Sequence, residues 1–313
     1  PKYGADIIRL WAASADYRND MRCSEGIFKQ LSEVYLKIRN TARFILGNLN
    51  GFDPDCLTPV EEMDELDRWA VSELNRLVSR CREVYEDYEF YNVIHAVHKF
   101  CVVSLSNFYL DIIKDRLYCD GTDSPERRSA QSAMYMILDA MVRLLAPLVS
   151  FTADEIWLAM THDKSARAES VMLNDMPQLH EELIFEGESS ARWDTLISLR
   201  DDVNRVLEAA RGEKIIGKPL EAAVTLHVSE AARADFDKLA GLPLDKLFIV
   251  SEVFVDFEGF AGTPGENFPG IGIEIAPSAA GKCPRCWTHS TSVGQSERFP
   301  ELCERCAKVL END

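Results

Sequence analysis

The first half of the chain repeats apolar residues at helical spacing. In segment 27–46 the apolar positions are Ile27, Leu31, Val34, Tyr35, Ile38, Ala42, Ile45 and Leu46. Intervals of three and four residues place such side chains on one face of an α-helix. The pattern therefore predicts an amphipathic helix, which Gly47 and Pro54 bring to an end.

Five more helices are predicted from the same periodicity. Their expected spans are about 58–85, 91–117, 125–146, 152–160 and 193–211. The first of these has two candidate starts, one at Thr58 with Pro59 in the first helical position and one nearer Asp64. Thr152 and Glu155 suit a capping box at the start of the short fourth helix. Long helices with short connections bury such stripes in an antiparallel bundle.

The periodicity changes in the second half. Segment 162–190 is polar and aperiodic, which is typical of a connection. After Gly212, alternation predicts strands at 223–228, within 248–257 and at 271–275, with a short helix at 231–239. The sequence therefore predicts a small α+β unit after the bundle.

Four of the nine cysteines form two close pairs near the C-terminal end of the sequence. Cys283 and Cys286 are separated from Cys303 and Cys306 by 16 intervening residues, a spacing typical of C-x2-C…C-x2-C zinc sites. Four thiolates complete a tetrahedral Zn²⁺ shell and leave no position for water. The spacing therefore predicts a structural zinc ribbon, with iron as the alternative metal.

Two ring side chains follow the first cysteine pair. Trp287 has two interpretations, packing over the small ribbon core or exposure for stacking on an unpaired base. His289 is interpreted as a surface residue, with a fifth metal ligand as the alternative. The other five cysteines are predicted to be buried small hydrophobic residues. These are Cys23, Cys56, Cys81, Cys101 and Cys119.

The charge balance is acidic, with a formal net charge of −18. Such a total argues against a phosphate-binding protein, although a local basic surface can lie on an acidic body. Lys37, Arg39 and Arg43 form one such candidate on the first predicted helix. They are interpreted either as a solvated face or as phosphate contacts.

Length and composition limit the classes of protein to which the sequence can belong. The 313 residues, 46% hydrophobic and 27% charged, suit two or three soluble domains. No uninterrupted apolar run reaches the roughly 18 residues of a membrane span, and no secretory leader is visible. An odd number of cysteines favours a reducing compartment.

The sequence begins at Pro1, so we expect a piece of a longer protein. No glycine-rich phosphate loop or Gly-x-Ser-x-Gly motif is present, and no catalytic residue is predicted.

Several motifs resemble one enzyme family. Segment 2–11 resembles the part that follows the KMSKS loop in class I aminoacyl-tRNA synthetases, and segments 14–22 and 37–49 resemble the isoleucyl enzymes in particular. Segment 144–157 resembles a bundle motif of the group, with Val149-Ser150 in place of a more usual second proline. The cysteine ribbon with Trp287 resembles the C-terminal zinc domain of many bacterial isoleucyl-tRNA synthetases.

The resemblance implies a fold and its divisions. The expected fold is mainly α, an antiparallel class I anticodon-binding helical bundle followed by a small α+β junction unit and a four-cysteine zinc ribbon. The implied divisions are a connector from the catalytic domain (the stem-contact region, 1–24), the bundle (25–162), a linker and long helix (163–212), the junction domain (213–278) and the ribbon (279–313).

The resemblance also implies a function. The family ligates isoleucine to its tRNA with ATP and Mg²⁺, through HIGH and KMSKS motifs that have no counterpart here. The editing domain has no counterpart either. We therefore expect a module that binds the anticodon arm of isoleucine tRNA and is inactive as a ligase by itself. The alternative is a zinc-ribbon protein–protein interaction module without RNA affinity.

The implied RNA contacts lie in three regions. They are Lys37, Arg39 and Arg43 in the bundle, Arg200, Arg205 and Arg211 on the long helix, and Arg285 and Trp287 in the ribbon. The expected partner is isoleucine tRNA, without DNA or membrane binding. A cytoplasmic monomer is expected.

Overall fold

The chain folds into two compact units. The computed structural model describes residues 2–312, and for Asn312 the backbone only. The first unit comprises residues up to Leu117 and Thr122–Ile184, and the second comprises Tyr118–Gly121 and the residues from Phe185 onwards.

The first unit is a bundle of helices. They are α1 (Ala5–Ser14), α2 (Glu25–Asn48), α3 (Glu65–Glu86), α4 (Phe90–Lys99), α5 (Leu110–Ile112), α6 (Lys114–Cys119, whose last two residues belong to the second unit), α7 (Pro125–Leu145) and α8 (Ser150–Ala159). A π-helical segment, Phe100–Tyr109, joins α4 to α5. Short 3₁₀ turns lie at Val60–Glu62, Val171–Leu173 and Glu181–Leu183. The bundle confirms the helical class that the apolar stripes predict.

Side-chain caps fix where the longer helices begin. Ser24 Oγ accepts from the Ile27 N–H at the start of α2, and Ser124 Oγ does the same for Arg127 at α7. At α3 the cap is Asp64, whose Oδ1 lies 2.9 Å from the Leu66 nitrogen. Of the two predicted starts for this helix, the one near Asp64 is correct.

The predicted capping box at Thr152 is wrong. Helix α8 begins at Ser150, so Thr152 lies inside its first turn. The Thr152 hydroxyl donates to Asp6 Oδ2 over 2.6 Å, and the Thr152 N–H donates to the same oxygen over 2.7 Å. The cap is supplied by a carboxylate from α1, which local sequence cannot reveal.

The helical run Phe90–Cys119 is long and apolar enough to cross a membrane by length and composition alone. Its most apolar window has a mean hydropathy of 1.2, and half of that window is buried within the protein. Core helices of soluble bundles meet the same criterion. This run is therefore weak evidence for a membrane span.

A buried polar cluster connects several elements of the bundle. The Asp67 carboxylate on α3 is fully buried and receives hydrogen bonds from Tyr109, Arg116 and Ser129. Their donor–acceptor distances are 2.7, 2.9 and 2.5 Å. Because every partner comes from a different element, the cluster fixes how those elements pack.

The second unit contains the remaining elements. Its helices are α9 (Glu188–Gly212), α10 (Arg233–Asp237), α11 (Leu244–Phe248) and α12 (Glu304–Asn312), and its strands are β1 (Ala222–Val228), β2 (Glu252–Asp256), β3 (Thr263–Pro264), β4 (Ile271–Pro277), β5 (Gly281–Lys282) and β6 (His289–Ser290). The main sheet has the order β2-β1-β4-β3, with β1 parallel to β2 and antiparallel to β4. Strands β5 and β6 form a separate hairpin.

Two features hold the loop between β2 and β4 in place. Asp202, buried on α9, accepts the backbone N–H groups of Glu266, Asn267 and Phe268 over 2.8–2.9 Å. At Gly272 on β4, a Cβ would lie 1.9 Å from the Ala261 carbonyl oxygen, so only glycine permits this approach.

The predicted strand region 248–257 is partly wrong. Only Glu252–Asp256 is a strand, because Phe248 ends helix α11 and Ile249 follows in the left-handed conformation with φ +59°. Leu247 and Phe248 are both buried. A short apolar run of this kind does not distinguish a buried strand from a buried helical turn.

Candidate metal centre and nucleic-acid interface

The two cysteine pairs meet in one buried cluster. The Sγ atoms of Cys283, Cys286, Cys303 and Cys306 all lie within 4.8 Å of one another. Cys286 Sγ and Cys303 Sγ are 3.8 Å apart. A tetrahedral zinc ion with Zn–S bonds of about 2.3 Å needs sulfur–sulfur separations of about 3.8 Å. The donor set therefore fits Zn²⁺.

The backbone forms each turn from local hydrogen bonds. In the first turn the Trp287 N–H donates to the Cys283 carbonyl over 2.8 Å, and the Cys283 N–H donates to the Thr288 carbonyl over 3.0 Å. The second turn opens helix α12, where the Ala307 N–H donates to the Cys303 carbonyl over 3.0 Å. Both turns direct their sulfurs into the same centre.

The thiols perturb one another strongly. A hydrogen bond with the Cys306 thiol lowers the pKa of Cys286 to about 4. The same hydrogen bond raises the pKa of Cys306, and burial raises that of Cys303. Four ionised thiols cannot coexist in so small a volume without a cation. A divalent metal supplies the positive charge that offsets the repulsion between the thiolates. Four cysteines can therefore bind it in their ionised form.

Arg285, between the first two cysteines, is engaged within the second unit. Its Nη1 donates to the Cys119 carbonyl oxygen and lies 3.6 Å from Cys306 Sγ. Cys119 is buried against the ribbon, and Arg305 Nη1 lies 3.7 Å from Asp120 Oδ1. One arginine from each cysteine turn therefore contacts the segment Tyr118–Gly121.

The remaining cysteines divide into two groups. Cys81, Cys101 and Cys119 are buried as predicted, and burial raises the pKa of both Cys81 and Cys101 to about 12. The prediction is wrong for Cys23 and Cys56, which are exposed. Both lie outside the helices, and so outside the apolar stripes that fill the core.

Trp287 lies on the surface beside the metal centre. Its side chain is 56% exposed, and its backbone adopts the left-handed conformation with φ +68°. The Lys218 ammonium lies 5.2 Å from the centre of the ring. Of the two interpretations, the structure favours exposure over packing in the ribbon core. The sequence by itself does not reveal that Lys218 is a neighbour of Trp287, since the two residues are far apart in the chain.

His289 does not join the cysteine cluster. It lies half-buried on β6, with its Nδ1 3.0 Å from the Ala280 carbonyl oxygen. Its backbone N–H donates to Ser251 Oγ over 2.7 Å. The histidine supports the β5–β6 hairpin, which is neither of its predicted roles.

On α2, the three basic residues do not share one face. Arg39 and Arg43 are one turn apart, whereas Lys37 points roughly 160° away from Arg39 around the helix axis. Lys37 and Arg43 are exposed, and Arg39 is half-buried. No carboxylate pairs with any of these three side chains within residues 2–312. The structure therefore brings Arg39 and Arg43 together and separates Lys37 from them.

The arginines of α9 occupy different environments. Arg200 is buried, and its Nε donates to the Leu247 carbonyl over 2.8 Å. Arg205 donates to the Pro264 carbonyl over 2.8 Å and lies 3.4 Å from a Glu266 carboxylate oxygen. Arg211 is exposed and bonds Glu208 on its own helix. Arg200 and Arg205 thus bond backbone carbonyls of other segments in the second unit, whereas Arg211 pairs only with a residue of its own helix.

Comparison with known proteins gives two family matches and many relatives. The family described as "Anticodon-binding domain of tRNA ligase" matches residues 67–226, and that described as "Zinc finger found in FPG and IleRS" matches residues 281–309. The isoleucine–tRNA ligase of Syntrophotalea carbinolica is 47% identical over 310 residues, and that of Caldanaerobacter subterraneus subsp. tengcongensis is 45% identical over 319 residues. Each alignment covers 99% of this chain and 33% of the relative.

A solved structure, the ternary complex of Agrobacterium radiobacter K84 agnB2 LeuRS with tRNA and LeuAMS, matches 78% of this chain and 26% of that chain. Its TM-score is 0.41 and its sequence identity is 15%.

The zinc-finger match and the four converging thiols assign one structural Zn²⁺ to the ribbon. The anticodon-binding match covers more than half of the chain and extends through the bundle into the first strand of the second unit. The chain therefore belongs to the family of anticodon-binding domains of tRNA ligases, and its C-terminal segment matches the zinc finger found in FPG and IleRS.

Proposed function

We propose that this chain is part of an enzyme that ligates isoleucine to its tRNA. Its role in that enzyme is to recognise the anticodon arm of isoleucine tRNA. The observation that carries this proposal is the exposure of Trp287 beside the metal centre. Aromatic rings on a fixed scaffold bind unpaired bases by stacking, and anticodon bases are unpaired. The relatives are named isoleucine–tRNA ligases, and the chain spans one-third of their length.

The exposed basic residues fit phosphate contacts. The exposed Arg43 and the half-buried Arg39 form one pair on α2, and the exposed Arg211 provides a contact on α9. Lys37 remains a separate candidate on the other side of α2. Phosphate contacts position RNA without reading its sequence. We leave Arg200 out of this surface because it is buried. Arg205 and Arg285 are left out because their guanidinium groups bond backbone carbonyls of other segments, whereas Arg211 pairs only with Glu208 on the surface of its own helix.

Catalysis is assigned elsewhere in the ligase. The sequence contains neither a HIGH nor a KMSKS motif, so the chain has no residues to which ATP and Mg²⁺ chemistry can be carried over. We propose that the chain is a cytoplasmic monomer that binds neither DNA nor membranes. The divisions at 1–24, 25–162, 163–212, 213–278 and 279–313 remain part of this proposal.

Filter binding tests the proposal directly. The chain is titrated with isoleucine tRNA, with the same tRNA mutated in its anticodon, and with duplex DNA of equal length, at several salt concentrations. We expect tRNA binding that weakens as salt rises and weakens further with the mutated anticodon. ATP–pyrophosphate exchange is expected to be blank. Absence of tRNA affinity even in dilute buffer would instead favour a protein–protein interaction module.

A further inference from the structure

A short segment from the first half of the chain completes the core of the zinc ribbon. Residues Tyr118–Gly121 belong to the second unit, although their chain neighbours on both sides belong to the first. Cys119 is 7% exposed and shares one buried cluster with the four proposed zinc ligands, together with Leu302 and Ala307. Its sulfur is not part of the four-sulfur group found within residues 2–312. Cys119 therefore packs beside the metal site without serving as a ligand.

Arg285 connects this segment to the metal centre. Its Nη1 carries two N–H groups and donates to two acceptors, the Cys119 carbonyl oxygen and Cys306 Sγ at 3.6 Å. The Cys119 sulfur in turn lies 4.0 Å from the Arg285 carbonyl oxygen. We infer that Arg285 is a positioning residue of the zinc site, which orients Cys306 and holds residues 118–121 against the ribbon, so that the ribbon and this segment retain zinc as one assembly.

Charge explains why an arginine suits this position. A zinc ion bound by four thiolates leaves an excess of negative charge in a buried cluster. Buried charge is costly unless a hydrogen-bonded group of opposite charge offsets it. The Arg285 side chain is half-buried and always charged, so its hydrogen bond to Cys306 is charge-assisted once that sulfur binds the metal. Loss of the guanidinium should therefore weaken zinc binding.

The second cysteine turn contacts the same segment. Arg305 Nη1 lies 3.7 Å from Asp120 Oδ1, and the two side chains are 34% and 14% exposed. One arginine from each turn thus reaches adjacent residues of the segment. Because a single metal ion holds both turns together, both contacts depend on it. Removal of zinc should therefore release residues 118–121 together with the ribbon.

Zinc competition tests the role of Arg285 in the full chain. A chromogenic chelator is titrated into the zinc-loaded protein to measure its zinc affinity. Arg285→Leu should weaken zinc binding about 10- to 100-fold, the usual loss when a hydrogen-bond partner of a metal ligand is removed. Arg285→Lys keeps the charge without the planar fork and should recover part of that loss. Arg298→Leu, which removes an exposed arginine lying over the Phe299 ring, is the matched control and should leave zinc affinity unchanged.

Cobalt substitution tests whether Arg285 acts on the metal-bound sulfur. Co²⁺ is the probe, because its sulfur-to-metal charge-transfer absorption reports on the thiolates that bind it. At saturating Co²⁺, Arg285→Leu should keep the spectrum of a tetrahedral four-thiolate site. Its charge-transfer band should shift to lower energy, because Cys306 loses a hydrogen-bond donor. Cys119→Ala should give the unshifted four-thiolate spectrum. An unshifted band in Arg285→Leu would contradict the contact with Cys306.

Amide hydrogen exchange tests the segment without any substitution. Zinc is removed from the unmodified chain with a chelator, and residues 118–121 are compared with residues 163–170, a connection within the first unit. We expect exchange to increase in 118–121 and to stay unchanged in 163–170. Unchanged exchange in 118–121, or equal zinc affinities of Arg285→Leu and Arg298→Leu, would overturn the inference. These measurements contain no tRNA, so their failure leaves the proposed function intact.

Discussion

Arg116 and Asp67 form an ion pair inside the helical bundle, with Arg116 Nη2 2.9 Å from Asp67 Oδ1. Asp67 is fully buried and Arg116 nearly so, and they join α6 to α3 across a long stretch of sequence. Burial raises the pKa of Asp67, and the charge on Arg116 opposes that rise. Removing one partner should therefore strongly lower the free energy of unfolding, even if the intact pair itself adds little to it.

We predict that Arg116→Leu lowers the free energy of unfolding by about 3–5 kcal/mol, because it leaves a buried carboxylate without its partner. Urea denaturation followed by circular dichroism measures the change. Lys114→Gln is the control on the same helix, since it removes only the exposed pair with Asp111 and should cost about 0–1 kcal/mol. Equal effects of the two substitutions would contradict the importance of the buried pair.

Asp202→Asn should destabilise the second unit in a pH-dependent way. Burial by itself would raise the pKa of Asp202, but backbone hydrogen bonds from Glu266, Phe268 and Asn267 lower it. A lowered folded-state pKa means that the carboxylate stabilises the fold above its unfolded pKa of about 3.9 and loses that effect as pH falls further. We expect a loss of about 1.5–3 kcal/mol at neutral pH.

The pH dependence is what distinguishes this explanation. Thermal melts of the two proteins are compared from neutral pH down to below pH 4, and the difference in their unfolding free energy should shrink towards the acidic end. A difference that is the same at every pH would show that loss of shape, and not loss of the charge, is responsible.

Metal removal should affect the ribbon selectively. Cys303→Ser removes one of four proposed zinc ligands, and we expect less than one zinc per chain by elemental analysis, where the unmodified chain should hold one. Amide hydrogen exchange should increase in residues 279–312 and stay unchanged in the bundle. Cys56→Ser, an exposed cysteine outside the cluster, is the control and should retain the full zinc content. Exchange that increases throughout the chain would contradict independent folding of the ribbon.

Substitutions of two arginines should separate RNA binding from packing. Arg43→Ala removes an exposed charge, so we expect weaker tRNA binding with a salt slope reduced by about one and no change in anticodon preference. Arg200→Ala removes a buried side chain bonded to the Leu247 carbonyl, so its main effect should be a lower melting temperature. If Arg43→Ala binds tRNA as tightly as the unmodified chain, the basic residues of α2 form a solvated face and do not contact phosphates.

The helices and the metal site could be predicted because their signals are local. Apolar intervals of three and four residues determine which side of α2 faces the core, and its stripe positions Ile38, Ala42 and Ile45 are buried. Two cysteines three residues apart determine a turn that directs both sulfurs to one point. The left-handed backbone at Trp287, by contrast, was not predicted, since that conformation is uncommon for residues other than glycine.

The sequence by itself determined a helical bundle, a small sheet and a four-thiol zinc ribbon, because helical periodicity and cysteine spacing depend on residues that are near one another in the chain. Only the tertiary structure decided which charged side chains are free. Arg200 and Arg285 looked equivalent to Arg43 in sequence, yet packing engages both of them internally, while Lys218 comes to lie over Trp287. Such pairings depend on how distant elements pack, since the partner of a long side chain is set by whatever the fold brings within a few ångströms of its charge.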